Sequence, residues 1–169
     1  MAFLSGDPAE AIQRVRSRFD PAKAAQIGPH ITLLYETDIE ETTVDSTLVA
    51  IADALPLVVR LGVVSCWGHD PAAGTYLPVD DVNGAITAIR PRGAADGLHE
   101  YRPHVTLTHP RTAAADDAAS LWLRPAGQEI WSDAITIDAV AAIRQDGETW
   151  KVIATVGRSG GSGQPDLDW

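Results

Sequence analysis

Pro29-His30-Ile31-Thr32-Leu33 and, further on, Pro103-His104-Val105-Thr106-Leu107 are the two stretches whose reading decides the fold. Each sets a histidine two residues before a threonine among β-branched and aliphatic neighbours, the composition of a strand. Strand side chains alternate between faces, so His30 and Thr32 share one face and Ile31 and Leu33 the other. The same alternation separates His104 and Thr106 from Val105 and Leu107. A strand face meant for a core carries aliphatics at every second position. Here two strands each offer an imidazole and a hydroxyl instead, which predicts one site built from two halves.

The segments around each motif follow the same order. In the first half, residues 2–5 form a short strand, and Asp7-Pro8 starts a helix over 8–19 with Ile12, Val15 and Phe19 on its apolar stripe. Arg14, Arg16 and Arg18 fall mostly off that stripe and read as a solvated face, and Asp20-Pro21 ends the helix. The motif strand runs from His30 to Tyr35. An acidic loop over residues 36–41 and a helix from Val44 to Leu55 follow. A long strand over residues 57–67 then turns back at His69–Gly74 into another, Thr75–Val79. The second half repeats the scheme: a short helix capped by Asp81 or Asn83, the motif strand over 103–109, a helix from Thr112 to Leu123, and strands near 129–143 and 148–156. A five-residue match could arise by chance; the same element order around both copies argues for duplication. Residues 1–157 are expected to form one domain. Residues 158–169 have linker composition and are expected to be a mobile tail ending in Trp169.

Composition limits what such a chain binds. Its 169 residues suffice for one core, and no apolar run approaches the ~20 residues of a membrane span. Residues 1–6 lack a basic leader, so no secretion signal is expected. The lone Cys66 excludes an internal disulfide and any multi-cysteine zinc site, and fits a reducing cytoplasm. With 13 Lys and Arg against 23 Asp and Glu, the formal charge is −10, unsuited to neutralising the backbone of long nucleic acid. A small phosphate ester held in a local pocket stays within reach.

Two facing histidines allow one to take a proton while the other supplies one, because imidazole has an ordinary pKa of about 6.5. Cleaving a ribonucleotide phosphodiester requires both transfers, each worth on the order of 10²–10⁴ in rate. Threonine hydroxyls on the same face can donate to the non-bridging phosphate oxygens as charge builds there. No metal is required. His99, beside Glu100 before the second motif, and His69, beside Asp70 in a turn, read as solvated, and His109 as structural. A metal site from His99, His104 and His109 would need a geometry that a strand does not provide.

Paired Pro-His-[Ile/Val]-Thr-Leu motifs, one per half, make residues 1–157 resemble the two-histidine (2H) phosphoesterase superfamily, which includes RNA 2′,3′-cyclic phosphodiesterases and 2′-5′ RNA ligase-like enzymes. The resemblance implies a bilobal α+β fold with pseudo-two-fold duplication, its two antiparallel sheets forming a central cleft with helices outside. It also implies metal-independent cleavage of cyclic phosphates or 2′-5′ linkages with no cofactor. His30 and His104 would be the acid–base pair and Thr32 and Thr106 the phosphate donors. Past the core motifs the halves differ, Leu34-Tyr35 in one and Thr108-His109-Pro110 in the other, which bears on substrate preference. Tyr35, Tyr76 and Trp150 are candidates for stacking on a base, Trp67 and Tyr101 weaker ones, and Arg102 and Arg111 for assisting the phosphate. The expected partner is a small nucleotide or RNA-end phosphate ester, bound by a cytoplasmic monomer with no membrane association. The rival expectation is a nucleotide-binding module that uses the same cleft without turnover.

Overall fold

Ile31 and Val105, the middle residues of the two motifs, face each other in an antiparallel pair. The computed structural model describes residues 1–35, 43–89, 101–123, 133–147 and 149–157. The acidic loop over 36–41, His99 with Glu100, and the tail over 158–169 with Trp169 lie outside the described residues.

Around that pair runs one mixed architecture of helices and antiparallel sheet. In chain order it comprises β1 (Ala2–Phe3), α1 (Gly6–Phe19), α2 (Pro21–Gln26), β2 (His30–Ile31), α3 (Val44–Ala52), β3 (Leu57–Leu61) and β4 (Ser65–Cys66). Then follow β5 (Thr75–Asp81), α4 (Ala85–Ile89), β6 (His104–Thr108), α5 (Ala115–Trp122), β7 (Ile135–Ile137), β8 (Ala139–Asp146) and β9 (Thr149–Gly157). The main sheet has the order β1-β2-β6-β5-β3-β7, with β4 also on β5, and β8-β9 is a separate two-stranded sheet. The two sheets meet at the start of the chain, where the Ala141 N–H donates to the Met1 carbonyl at 2.8 Å.

One face of the main sheet is the core. Ile31, Leu33, Leu77, Val105 and Leu107 are buried there against Ile12 and Phe19 of α1, Leu48 and Ile51 of α3, Ile86 of α4 and Leu121 of α5. The other face carries His30, Thr32, Tyr76, His104 and Thr106, all half-buried. Both motifs therefore lie on one face of one sheet, not on two sheets flanking a cleft. A two-fold relation is visible locally: the register about Ile31 and Val105 sets His30 across from Thr106 and Thr32 across from His104.

Several boundaries differ from the sequence reading, for local reasons. Helix α1 starts at Gly6 after Ser5, so Asp7 lies in its first turn and not at the cap. The expected strand over 57–67 breaks after Leu61. There the Gly62 N–H donates to the Pro78 carbonyl at 2.7 Å, and the chain re-pairs only at Ser65↔Tyr76. Proline in β5 has no N–H with which to continue that ladder. The helix expected from Thr112 begins at Ala115, and the expected strand near 129–143 divides into β7 and β8, its first residues lying outside the described set. Asp81 caps α4, its carboxylate accepting from the N–H groups of Ile86 (3.2 Å) and Thr87 (2.8 Å).

The largest departure is at Arg16 and Asp20. Arg14 and Arg18 are exposed as expected, but Arg16 and Asp20 are fully buried. Arg16 stands one turn after Ile12 and one before Phe19, so it extends the buried stripe. Its guanidinium donates to Gln13 Oε1 at 3.1 Å and to the Lys23 carbonyl at 3.3 Å. The Asp20 carboxylate accepts from the N–H of Lys23 (3.0 Å), the N–H of His109 (2.8 Å) and the hydroxyl of Thr112 (2.8 Å). It thereby fastens the α1–α2 corner to the end of the second motif strand. Asp20→Ala leaves these donors without an acceptor and is expected to cost about 3 kcal/mol, since buried hydrogen bonds to a charged group are worth roughly 1.5–3 kcal/mol each. Urea unfolding measures it, and a loss below about 1 kcal/mol would mean that the corner is held otherwise.

Candidate active site

The same local device fixes each motif histidine. His30 Nδ1 lies 2.8 Å from the Gly28 carbonyl, and His104 Nδ1 lies 2.8 Å from the Arg102 carbonyl. In both cases the acceptor sits two residues back, across a proline that holds the intervening backbone extended. A carbonyl only accepts, so Nδ1 carries the hydrogen and the neutral ring keeps its lone pair on Nε2. Pro-His is thus a means of setting an imidazole's tautomer and orientation, and it occurs twice on one sheet face.

The two rings have different neighbours. On the β1 side, Phe3 pairs with His30 in register, and their ring centroids are 5.7 Å apart. On the β5 side, Tyr76 pairs with Thr106, and its ring stacks on Trp67 at 4.1 Å. Both rings meet His104 edge-on, Trp67 at 4.9 Å and Tyr76 at 5.5 Å. Trp67 opens a 3-10 turn, Trp67–His69, in which Gly68 (φ 58°) and His69 (φ 64°) are left-handed. A second such turn, Pro71–Ala73, leads to Gly74 at φ 104°, where a Cβ would come within 2.9 Å of the Thr108 carbonyl. These turns bring the indole back over β5 and against the second motif.

Electrostatics also separates the pair. Loss of solvent lowers His30 to a pKa of about 3, the positive charges of Arg16, the amino terminus and Lys23 add to that, and the Gly28 carbonyl opposes it. His104 is also lowered by loss of solvent, with the Arg102 carbonyl opposing and, among the described residues, no charged group acting on it. Both rings are therefore neutral at pH 7 in the free protein.

The remaining sequence candidates are placed as follows. Tyr35 is exposed just beyond the first motif. Arg102 is exposed and supplies the carbonyl that orients His104. Trp150 is half-buried beside Phe3, Ile27 and Ala141, and Lys23 Nζ stands 5.6 Å over its ring, so that face is covered. His69 is exposed in its turn, and His109 Nδ1 accepts from the Arg111 N–H at 3.2 Å. The Tyr101 hydroxyl donates to the Thr32 carbonyl at 2.7 Å, tying the approach to the second motif onto the first. Tyr101 and Trp67 thus both make contacts to the motif strands, Tyr101 through its hydroxyl and Trp67 through its ring. Among the described residues no cluster of three or more His, Cys, Asp or Glu could hold a metal ion, and no helix is long and apolar enough to cross a membrane. A large groove of about 1260 Å³ lies between α1 and the β7–β8 segment, and none of the four motif residues lines it.

Comparison with protein families matches residues 4–149 to the 2′-5′ RNA ligase superfamily. That span contains both motifs, Trp67, Tyr76 and Tyr101. Comparison with curated proteins gives no match.

The His30 shift has a sign that can be checked. A depressed histidine contributes stability that is fully present above its unfolded pKa of about 6.5 and is lost as pH falls from there toward 3. Unfolding free energy is expected to decline with acidification below pH 6.5, more gently in His30→Gln. The His30 ring resonance, followed by NMR, is expected to titrate far below pH 6; a midpoint at 6.5 or above would contradict the burial described here.

Proposed function

Since the chain belongs to the 2′-5′ RNA ligase superfamily, that of the two-histidine phosphoesterases, we propose that it is a metal-independent phosphodiesterase that opens 2′,3′-cyclic phosphates or cleaves 2′-5′ linkages in small ribonucleotides or at RNA ends. One observation carries this reading. The matching Nδ1–H contacts leave Nε2 of both His30 and His104 free to exchange protons on the face that also holds Thr32 and Thr106.

Attack by water on phosphorus forms the new P–O bond as one imidazole takes the water's proton. The bond to the departing ribose oxygen breaks as the other, protonated, imidazole delivers a proton to it. The product is a phosphomonoester with a free hydroxyl. Thr32 and Thr106 donate to the non-bridging oxygens, where charge builds in the transition state. An arriving phosphate anion favours the charged form of a neighbouring ring, which protonates one of two resting neutral histidines. His30, whose charged form Arg16 and Lys23 oppose, is the ring that stays neutral to accept a proton; His104, on which among the described residues no such cation acts, more readily carries one. With a ribose 5′-hydroxyl in place of water, the same two transfers on a 2′,3′-cyclic phosphate form a 2′-5′ linkage as the bond to the 3′ oxygen breaks and that oxygen takes the proton. The recurrence of helix, motif strand, helix and strands in both halves supports reading residues 1–157 as one duplicated unit. A cytoplasmic setting belongs to the same proposal.

The test is turnover of nucleoside 2′,3′-cyclic phosphates and 2′-5′ dinucleotides with excess chelator present. His30→Ala and His104→Ala are each expected to lose at least about 100-fold in kcat. On a uridine 3′-(4-nitrophenyl) phosphodiester, whose leaving group needs no proton, His104→Ala should retain far more activity than His30→Ala. Saturable binding with unchanged ligand would reduce the protein to a nucleotide-binding module. Full activity in either alanine variant would remove the acid–base assignment.

A further inference from the structure

On a chain with a formal charge of −10, three cations are gathered beyond one end of the two motif strands. Strands β2 and β6 are antiparallel, so the residues before His30 and those after Thr106 lie at the same end. Lys23 and Arg16 both act electrostatically on His30, and Lys23 and Arg111 both act on His109. Arg16 in turn acts on Lys23, so the three cations form one group. The carboxylate among them, Asp20, is fully buried and turned inward onto Lys23 N–H, His109 N–H and the Thr112 hydroxyl; its charge offsets part of theirs, acting on Arg16, Lys23 and His109 alike.

Of the three, Arg111 is exposed and Lys23 half-buried. Among the described residues neither Lys23 nor Arg111 forms a salt bridge, and the Lys23 ammonium stands over the Trp150 ring at 5.6 Å. Arg16 lies beneath, its Nε buried with no hydrogen-bond partner. Like charges held together raise one another's free energy, and an anion placed between them relieves it. His109 follows Thr106 by three residues, roughly 10 Å along extended chain, within reach of a substituent on a nucleoside whose reacting phosphate lies at the histidines.

We infer that Lys23 and Arg111, with His109 beside them, form a second anion subsite that takes a phosphate remote from the one being cleaved. The preferred substrate is then a nucleotide bearing an additional phosphomonoester, and not a bare cyclic nucleotide. The inference rests on the phosphoesterase reading of the His30–His104 face.

Binding of adenosine 2′-monophosphate and adenosine 2′,5′-bisphosphate, measured by calorimetry at one ionic strength, tests it apart from catalysis. The bisphosphate is expected to bind the natural sequence at least 10-fold more tightly. That preference should shrink to within twofold in Lys23→Met, which keeps the aliphatic stem over Trp150, and fall several-fold in Arg111→Gln. Neither substitution touches the backbone bonds to Asp20. Equal binding of the two nucleotides, binding of neither, or a preference that survives both substitutions overturns the subsite. Turnover measured in parallel separates the two readings: turnover without a bisphosphate preference removes the subsite alone, and a Lys23-dependent preference without turnover upholds the subsite while removing the phosphoesterase reading.

Discussion

The antiparallel pairing of Ile31 with Val105 is the contact on which the rest depends. Both residues are fully buried, and the apolar area they and their neighbours remove from water, at roughly 25 cal/mol per Å², fixes which face of each strand looks inward. Because strand alternation has a period of two, burying Ile31 and Val105 necessarily turns His30, Thr32, His104 and Thr106 to the opposite face. A slip of one residue in either strand would send an imidazole into the core. The arrangement of the four side chains is thus enforced by aliphatic packing on the opposite side of the sheet.

That arrangement explains why a strand as short as β2 suffices. Its two residues are held by β1 on one edge and β6 on the other, and the segments beyond it are fastened separately. Leu4 N–H donates to the Pro29 carbonyl just before the motif, and the Tyr101 hydroxyl donates to the Thr32 carbonyl just after the strand ends. Asp20 performs the same service for the far end of β6. Groups from elsewhere in the chain, two of them side chains, replace the ladder hydrogen bonds that a longer strand would supply.

Local patterns made the motifs legible. The alternation of His-x-Thr with aliphatics, the prolines before each histidine and the helical stripe of Ile12 and Phe19 are encoded within a few residues, and the structure uses them as written. What depends on residues far apart in sequence was not legible. Trp67 meets His104 only because two tight turns fold it back over β5. Arg16 reads as solvated because arginine is rarely buried, yet its spacing from Ile12 and Phe19 and its position one turn before Asp20 were signals that it continues the inner face. The two antiparallel sheets implied by the resemblance are present as one large and one small sheet, without establishing two matching lobes. A repeated element order does not specify how the copies pair, and here the motif strands pair with each other.

The unequal surroundings of two identical motifs then acquire a physical meaning. The proposed transfers require the two imidazoles to differ in charge at the moment of reaction, yet both motifs set the same tautomer by the same carbonyl contact. Nothing within Pro-His-x-Thr-Leu can supply that difference. It has to come from outside the motifs, where Arg16 and Lys23 oppose a charge on His30 and the rings of Trp67 and Tyr76 enclose His104. The repeated motif accounts for two oriented rings. The elements that are not repeated, a buried arginine on α1 and a folded-back tryptophan after β4, make one of them different from the other.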